Sequence, residues 1–140
     1  MDTLSSEQRR RAMSAVKSRN TTPELVVRRL LHKAGFRFRL YRKDLPGNPD
    51  VVLPKYRTVI FVHGCFWHQH PGCDNANRPS TRQDYWFPKL DRNVARDKKH
   101  ISELYSLGWN ILVIWECETN DEAALSEKLC RFLSQQTQKK

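Results

Sequence analysis

The chain has 140 residues and a formal net charge of +10 at pH 7. This length fits one domain with a single core, and no apolar run approaches the length of a membrane span. Residues 1–43 hold 12 Lys and Arg against 3 Asp and Glu, which favours a nucleic-acid partner over a merely solvated basic surface. Because the N-terminus lacks an apolar signal region, we expect a cytoplasmic protein whose cysteines bind metal rather than form disulfides.

Two helices are predicted at the start of the chain. Residues 5–19 form a basic helix whose only apolar stripe is Met13 and Val16, too narrow for a core helix. We therefore expect residues 1–20 to be an arm that docks on a partner. The run 21–24, Thr-Thr-Pro-Glu, is typical of a helix start, and Gly35 would end that second helix.

The middle of the chain predicts three strands. Apolar and basic residues alternate over 36–41, which indicates a strand with one wet face. A turn at 45–49 precedes a second strand that begins at Asp50. Residues 57–62 are apolar almost throughout and predict a central strand.

The second half predicts two more helices around one strand. A polar connection over 74–88 leads to a helix of about 16 residues that ends before Gly108. A buried strand over 110–115 and a helix around 125–133 follow. This order predicts an α/β protein with a central mixed sheet and helices on both faces. Residues 21–134 would form the domain, and residues 135–140 a disordered tail.

The segment 63–73, HGCFWHQHPGC, carries five potential metal ligands. Cys65, His70 and Cys73 are spaced to wrap one zinc ion, which requires a fourth ligand. Cys117 would lie near this loop, whereas Cys130 falls beside the apolar face of the last helix. The remaining alternative is a set of free cysteines.

His63 and His68 are left over, together with Asp50. Asp50 opens one strand and His63 closes the next, so a short antiparallel turn would bring them together. A carboxylate beside histidines in a basic protein suggests a divalent ion that polarises phosphate. The alternative for Asp50 alone is a turn residue.

Phe66 and Trp67 lie within the same ligand-rich loop. The residues leave open whether the rings are core or a wedge that enters DNA base steps.

Several motifs together resemble the very-short-patch-repair (Vsr) DNA mismatch endonucleases over about residues 5–133. They are LPGNPD (45–50), FVHGCFWH (61–68), NVARD (93–97), GWNILVIWEC (108–117), RAMSAVK (11–17) and TPE (22–24). The resemblance implies a restriction-endonuclease-like core that nicks DNA beside T:G mismatches, which arise when 5-methylcytosine deaminates. In this family Phe61-Val-His63 stands where many nucleases carry Glu-x-Lys. The chain departs from the family with Gln at position 69 and with Pro71-Gly72 before Cys73.

The resemblance also implies residue roles. Magnesium would be held by Asp50 and the backbone carbonyl of Val62, with His68 as general base, His63 at the scissile phosphate and Glu24 as an auxiliary acid. Structural zinc would be held by Cys65, His70, Cys73 and Cys117. The implied DNA contacts are Phe66, Trp67, Trp86, Met13, Val16, Lys17 and Asn93.

We therefore expect a magnesium-dependent T:G mismatch endonuclease that leaves a 5′-phosphate. It would act as a monomer on double-stranded DNA, with no membrane partner and with a mismatch-repair protein as a candidate partner. Two alternatives remain: a non-catalytic, zinc-stabilised mismatch-binding module and a restriction-type nickase indifferent to mismatches.

Overall fold

The computed structural model describes residues 21–40 and 42–137. This part of the chain contains three α-helices and three strands. In chain order they are α1 (Thr22–Lys33), β1 (Val51–Leu53), β2 (Thr58–His63), α2 (Gln83–Ser106), β3 (Asn110–Trp115) and α3 (Glu122–Thr137). Among these helices, none is long and apolar enough to cross a membrane. The predicted basic arm and the tip of the tail lie outside the described residues.

Helix α1 begins and ends as its sequence predicts. The side chain of Thr21 caps the helix by accepting a hydrogen bond from the Glu24 N–H at 3.4 Å, with Pro23 in the first turn. Gly35 follows the helix at φ +88°, a conformation that suits glycine. The helix buries Val27 and Leu31 completely. One turn away from them, it also buries the Glu24 carboxylate, which is 3% exposed.

The sheet is small and mixed. β1 pairs antiparallel with β2, and β2 pairs in parallel with β3, so β2 is central as predicted. A 3-10 turn over Pro54–Tyr56 connects β1 to β2. Asp50 therefore lies at one end of the sheet beside the last residues of β2, where the Asp50 N–H donates to the Ile60 carbonyl at 3.1 Å. His63 lies at the same end, opposite Trp115.

Helices cover both faces of the sheet, which confirms the predicted layers. On one face, Ile60 and Ile114 pack against α1 and α3 in a core that includes Leu31 and Leu129. The alternate residues of the strands point to the opposite face, where Val52, Val59 and Phe61 pack with Leu104 of α2 and with Trp109. Each fully buried leucine contributes roughly 1.5–3 kcal/mol to stability.

The strand predicted over 36–41 is wrong in extent. Among the described residues of this segment, only Arg39 pairs with the sheet, through two backbone hydrogen bonds to Val52. The alternation in sequence has another cause, because Phe36, Phe38 and Leu40 pack against the first core from outside the sheet. Since β1 is only three residues long, it offers little edge for a neighbour.

The bounds of the last two helices also differ from the prediction. α2 begins at Gln83, so residues 83–88 are helical rather than part of a connection, and Pro88 lies inside the helix. The aromatic residues of this first turn pack against another aromatic segment instead of the core, so they show no core-facing period. α3 continues to Thr137, three residues into the segment expected to be a disordered tail.

Candidate active site and metal centre

A cleft of about 620 Å³ opens at the end of the sheet where β1 begins and β2 ends. Its walls come from the start of α1, the 47–50 loop, the segment after β2 and the middle of α2. The acidic residues and histidines that line it are Glu24, Asp50, His63, His68, Asp97, His100 and Glu116, and Arg96 lines it as well. The structure thus brings together all four residues predicted to be catalytic, and Val62 lines the same cleft.

Asp50 is held against the end of strand β2. Its Oδ2 accepts a hydrogen bond from the Val62 N–H at 2.7 Å. The pKa of Asp50 is raised to about 7, chiefly by burial and also by the nearby Glu24 carboxylate, against the opposing effect of the Val62 N–H. A bound divalent cation would offset the repulsion between two nearby carboxylates, because it carries positive charge and prefers oxygen ligands. The two carboxylates are therefore the kind of oxygen ligands that a hard metal ion prefers.

Glu24 enters the cleft from the first turn of α1. Its Oε2 accepts a hydrogen bond from Arg28 one turn later, at 3.1 Å. This partner gives the buried carboxylate a hydrogen bond and an opposite charge. Glu24 thus lies close enough to Asp50 to raise its pKa. It lies outside the cluster of His63, His68 and Asp97, called here the histidine cluster.

The two histidines stack on each other. The rings of His63 and His68 are parallel within 6°, with centroids 3.9 Å apart. The pKa of His63 is lowered to about 4, chiefly by burial and also by the neighbouring His68, against the opposing effect of Asp97. His63 is therefore neutral at physiological pH and can present an N–H without carrying charge.

Asp97, to which no role was assigned from sequence, orients His68. Its Oδ2 lies 2.6 Å from His68 Nδ1. A carboxylate can only accept, so Nδ1 carries the proton and the other ring nitrogen, Nε2, is left as the proton acceptor. The pairing of an imidazole with a carboxylate is the usual way to orient a general base. The three ligand atoms of His63, His68 and Asp97 lie within 4.8 Å of one another.

The second cluster holds the four residues predicted to bind zinc. One ligand atom from each of Cys65, His70, Cys73 and Cys117 lies within 4.8 Å of the others, and Cys130 is in α3 outside this group. His70 Nδ1 is 3.7 Å from the sulfur of Cys65 and 3.5 Å from that of Cys117. A tetrahedral ion with bonds of about 2.0–2.3 Å requires ligand separations of roughly 3.5–3.8 Å. The cluster therefore fits a closed four-ligand zinc site.

Without a metal, this cluster is an unfavourable environment for a thiolate. Burial raises the pKa of the Cys65 thiol to about 12. A bound cation would reverse this effect, because zinc binds the deprotonated thiolate.

Trp115 joins the two clusters, a role that its place in a buried strand did not reveal. Its ring stacks on His70 at 4.3 Å and 12° and meets the edge of His63 at 5.3 Å and 72°. The backbone N–H of Trp115 donates a hydrogen bond to Glu118 Oε1 at 2.9 Å. One indole therefore separates the sulfur-rich cluster from the histidine cluster and contacts both.

A group of aromatic rings lies at the mouth of the cleft. Phe66, Trp67 and Trp86 contact one another with centroid distances of 5.3, 5.5 and 5.9 Å, and Tyr85 packs on Trp86 at 5.0 Å. We call these four residues the aromatic cluster. None of them belongs to either hydrophobic core, and Tyr85 is 44% exposed. The sequence left open whether Phe66 and Trp67 belong to the core. The structure places them outside both cores, on a partly exposed surface.

Basic side chains surround the aromatic cluster. The ammonium of Lys89 lies 5.5 Å from the ring centroids of both Trp67 and Tyr85. A neighbouring surface of α2 includes Arg92, Asn93 and Arg96. The Asn93 amide donates to the Trp67 carbonyl at 3.3 Å, so this predicted DNA contact also supports the loop. The predicted contacts Met13, Val16 and Lys17 lie outside the described residues.

Comparisons with known proteins agree with this chemistry. Residues 1–74 match the family model described as DNA mismatch endonuclease Vsr. The type II nicking enzyme V.XorIIP of Xanthomonas oryzae pv. oryzae is 52% identical over 94% of this chain and 96% of its own length. V.NmeAIP of Neisseria meningitidis serogroup A is 39% identical over 94% of each chain. The DNA mismatch endonuclease Vsr of Escherichia coli K12 is 43% identical over 86% of this chain and 80% of its own.

These relatives and the histidine–carboxylate cleft define the protein as an endonuclease that acts on DNA. The family is equally clear from the extent of the matches. The chain belongs to the Vsr family of DNA mismatch endonucleases.

Proposed function

We propose that this endonuclease nicks one strand of double-stranded DNA next to T:G mismatches that arise from deamination of 5-methylcytosine, in a magnesium-dependent reaction. The observation that carries the proposal is the position of the aromatic cluster. Phe66 and Trp67 directly precede His68, so the residues suited to sense a disturbed base pair adjoin the residues suited to cut. The restriction-endonuclease-like core is part of the same proposal, supported by the mixed sheet with a carboxylate and histidines at one end.

Asp50 and the backbone carbonyl of Val62 would hold the magnesium ion. When bound, the ion supplies positive charge that stabilises the attacked phosphate and the leaving 3′-oxygen. Asp50 suits this role because its partial burial and the nearby Glu24 leave its negative charge poorly compensated by the protein alone.

His68 would take a proton from the attacking water through Nε2. Asp97 Oδ2, which lies 2.6 Å from His68 Nδ1, would accept the hydrogen bond of the Nδ1 proton and stabilise the imidazolium that forms. The water oxygen then bonds to phosphorus while the bond from phosphorus to the 3′-oxygen breaks. The products are a 5′-phosphate and a 3′-hydroxyl, which takes up one proton.

His63 would bind a non-bridging oxygen of the scissile phosphate as a neutral donor. The ring stack fixes it against His68, and a T-shaped contact with Trp115 supports it further. Glu24, which lines the same cleft, would help to orient the attacking water. Both roles depend on where the side chains of His63 and Glu24 lie rather than on a proton transfer by them.

Zinc in the four-ligand cluster would be structural. Cys65 and His70 lie on either side of the segment 66–69, so ligation at both fixes the loop that carries Phe66, Trp67 and His68. A closed site with four protein ligands leaves no position for a substrate.

Mismatch selection would come from the aromatic cluster. Inserting a ring between base pairs costs a few kcal/mol of lost stacking, and the cost is least where pairing is already disturbed. A T:G wobble pair is such a place. Because all the proposed catalytic residues of this cleft come from one chain, we infer that a monomer suffices, and a mismatch-repair protein remains a candidate partner for later steps.

A second candidate is a sequence-specific nickase that tolerates intact pairs. It is favoured by the names of two of the relatives, which are called type II nicking enzymes. Such an enzyme would keep the catalytic residues and would not need the aromatic cluster. The binding module without catalysis has no support in the family.

A nicking assay on end-labelled duplexes separates these functions. T:G, C:G and T:A pairs are placed in the same flanks and in varied flanks, with Mg²⁺ or with EDTA. We expect a single nick in the T:G duplex that requires Mg²⁺ and leaves a 5′-phosphate. Equal nicking of C:G and T:G duplexes would support the second candidate, and full activity in EDTA would contradict the magnesium role.

A further inference from the structure

Gln69 uses its whole amide to hold the loop before it. Its Nε2 donates to the Phe66 carbonyl at 2.6 Å and to the Ala76 carbonyl at 3.1 Å, and its backbone N–H also reaches the Phe66 carbonyl at 3.3 Å. Its Oε1 accepts a hydrogen bond from Arg78 Nε at 2.8 Å. The residue adopts a left-handed backbone with φ +53°, which is uncommon for a residue with a side chain. The side-chain contacts therefore help to maintain a backbone conformation that is otherwise disfavoured.

Arg78 continues this connection to helix α2. Its terminal nitrogen donates to Asp91 Oδ1 at 2.6 Å, and its guanidinium lies 4.8 Å from the centroid of the Phe87 ring. The Arg78 side chain is only 26% exposed. We call the series Gln69, Arg78 and Asp91 the clamp.

Besides the ring contacts with Trp86 and Lys89, the described residues make three hydrogen-bonded connections between the loop and α2, and the clamp is one of them. The other two join Asn93 to the Trp67 carbonyl and Asp97 to the His68 ring. They act on consecutive residues, because the clamp holds the Phe66 carbonyl, Asn93 holds that of Trp67, and Asp97 holds His68. A loop tied at three successive positions to the helix that carries Trp86 has little freedom to change the spacing of the rings.

We propose that Gln69 is a positioning residue for mismatch recognition. Through the clamp, Gln69 sets the spacing between Phe66 and Trp86. This inference rests on the proposed function, in which the aromatic cluster enters the DNA. A preformed cluster would lower the ordering cost of binding, since the rings would not have to be fixed at the moment of insertion. The clamp would act on affinity for mismatched DNA, whereas Asp97 would act on the chemical step.

The side chain at position 69 must donate twice and accept once. Glutamine does this, because its amide carries two N–H donors and one carbonyl acceptor. A neutral histidine could donate only once, and a glutamate at neutral pH could only accept. The departure from the family pattern at this position is therefore matched to Arg78 on one side and to two backbone carbonyls on the other.

Two variants separate the parts of the clamp. Gln69→Asn introduces a residue that also tolerates the left-handed backbone. Its side chain is one methylene shorter, so the substitution removes the contacts of the amide without straining the backbone. Gln69→Glu keeps the link to Arg78 and removes both donations. Gln135→Asn, on the exposed surface of α3, is the matched control. Each is measured for zinc content, thermal melting, affinity for a T:G duplex in Ca²⁺ or EDTA, and single-turnover nicking at saturating DNA in Mg²⁺.

We expect both Gln69 variants to bind the T:G duplex about five- to tenfold more weakly than wild type, the size of roughly one net hydrogen bond. The saturated nicking rate should change by less than about threefold, because Asp97 still orients His68. Zinc content should match that of the control. Arg78→Ala should weaken binding by a similar factor and add little to Gln69→Asn, since both break the same connection.

Wild-type affinity in both Gln69 variants would overturn the inference, provided that Phe66→Ala weakens binding in the same assay. If Phe66→Ala also binds normally, the failure belongs to the proposed function of the aromatic cluster. Loss of zinc or a collapse of melting, with normal affinity of the remaining folded protein, would assign Gln69 a structural role only and would equally overturn the inference.

Discussion

His68 and Asp97 lie 29 positions apart in the chain, yet His68 Nδ1 is 2.6 Å from Asp97 Oδ2. The contact joins the loop after β2 to the middle of α2. It determines which nitrogen of His68 faces the cleft, and therefore where a proton can be taken up.

Replacing Asp97 tests this relationship. Asp97→Asn should lower the saturated nicking rate by about 10²-fold, because general-base catalysis is worth roughly 10²–10⁴ and the wrong tautomer would lose part of it. Affinity for the T:G duplex should stay within about twofold. Glu103→Gln, an exposed acid on the same helix, is the control. A saturated rate equal to that of the control would show that Asp97 does not orient the base.

Asp50 should be essential for cleavage and dispensable for binding. Asp50→Ala is expected to lower nicking by at least about 10³-fold, since a lost metal ligand affects the transition state more than the docked complex. Asp44→Ala, in the same loop and paired on the surface with Arg42, should behave as wild type. The measurements are nicking in Mg²⁺ and duplex affinity in EDTA. Substantial turnover by Asp50→Ala would contradict the metal assignment.

The pH dependence of stability gives a second test of Asp50. In the folded protein, chiefly because of burial, its pKa is raised to about 7, whereas in the unfolded chain it has its ordinary value of 3.8. An acid with a raised folded pKa favours folding while it is protonated, and this contribution is lost as pH rises towards the folded pKa and beyond.

Asp50→Asn should therefore stabilise the magnesium-free protein at pH 8, by about 1–3 kcal/mol after allowance for partial exposure. The gain should shrink as the pH falls from 7 towards 4, where the wild-type carboxyl is itself neutral. Denaturant unfolding of the zinc-loaded protein without added Mg²⁺ at pH 8, 6 and 4.5 measures this difference. A gain that grows as the pH falls would reverse the proposed sign.

The four-ligand cluster should contain about one zinc per chain. Cys73→Ser and Cys117→Ser should lose the metal and unfold or melt at much lower temperature, because zinc binding contributes directly to the free energy of folding. Cys130→Ser, in α3 and outside the cluster, should keep both metal and stability. Zinc analysis beside thermal melting decides the matter, and full zinc retention by Cys117→Ser would disprove this ligand set.

The aromatic cluster should matter for DNA more than for folding. Trp67→Ala and Phe66→Ala are expected to weaken T:G binding by at least about tenfold, as base–aromatic stacking is worth roughly 1–3 kcal/mol per base. Melting should fall much less than for a core substitution. Tyr105→Ala, at a site 77% exposed on the far part of α2, is the control. Collapsed melting with normal affinity of the folded fraction would mean that the rings serve the fold.

The sequence predicted the parts of the molecule that depend on local pattern. The cap at Thr21, the apolar strand before His63 and the amphipathic helices all produce their own signals. The short turn between β1 and β2 was enough to place Asp50 beside the end of β2. The choice of Cys117 over Cys130 also followed from the position of each relative to its strand or helix.

The parts that were missed depend on tertiary contacts. Asp97 is one acid among several on a charged helix, and only the packing of α2 on the loop brings it to His68. Trp115 has the pattern of a strand residue, although its ring serves as a spacer between two histidines. The aromatic start of α2 lacked a period because its partners are Phe66 and Trp67 rather than the core. No local rule predicts such partners.

The four-ligand cluster draws on both ends of a long stretch of chain. Three ligands follow β2, but the fourth, Cys117, comes 47 positions after His70 and directly after β3. During synthesis the cluster can close only when β3 has left the ribosome and joined β2. A chain terminated before that point would hold Asp50, His63 and His68 but would lack the ligand that closes the loop. Translation products that end before Cys117 therefore lack both the closing member of the four-ligand cluster and the end of the chain segment that follows β3.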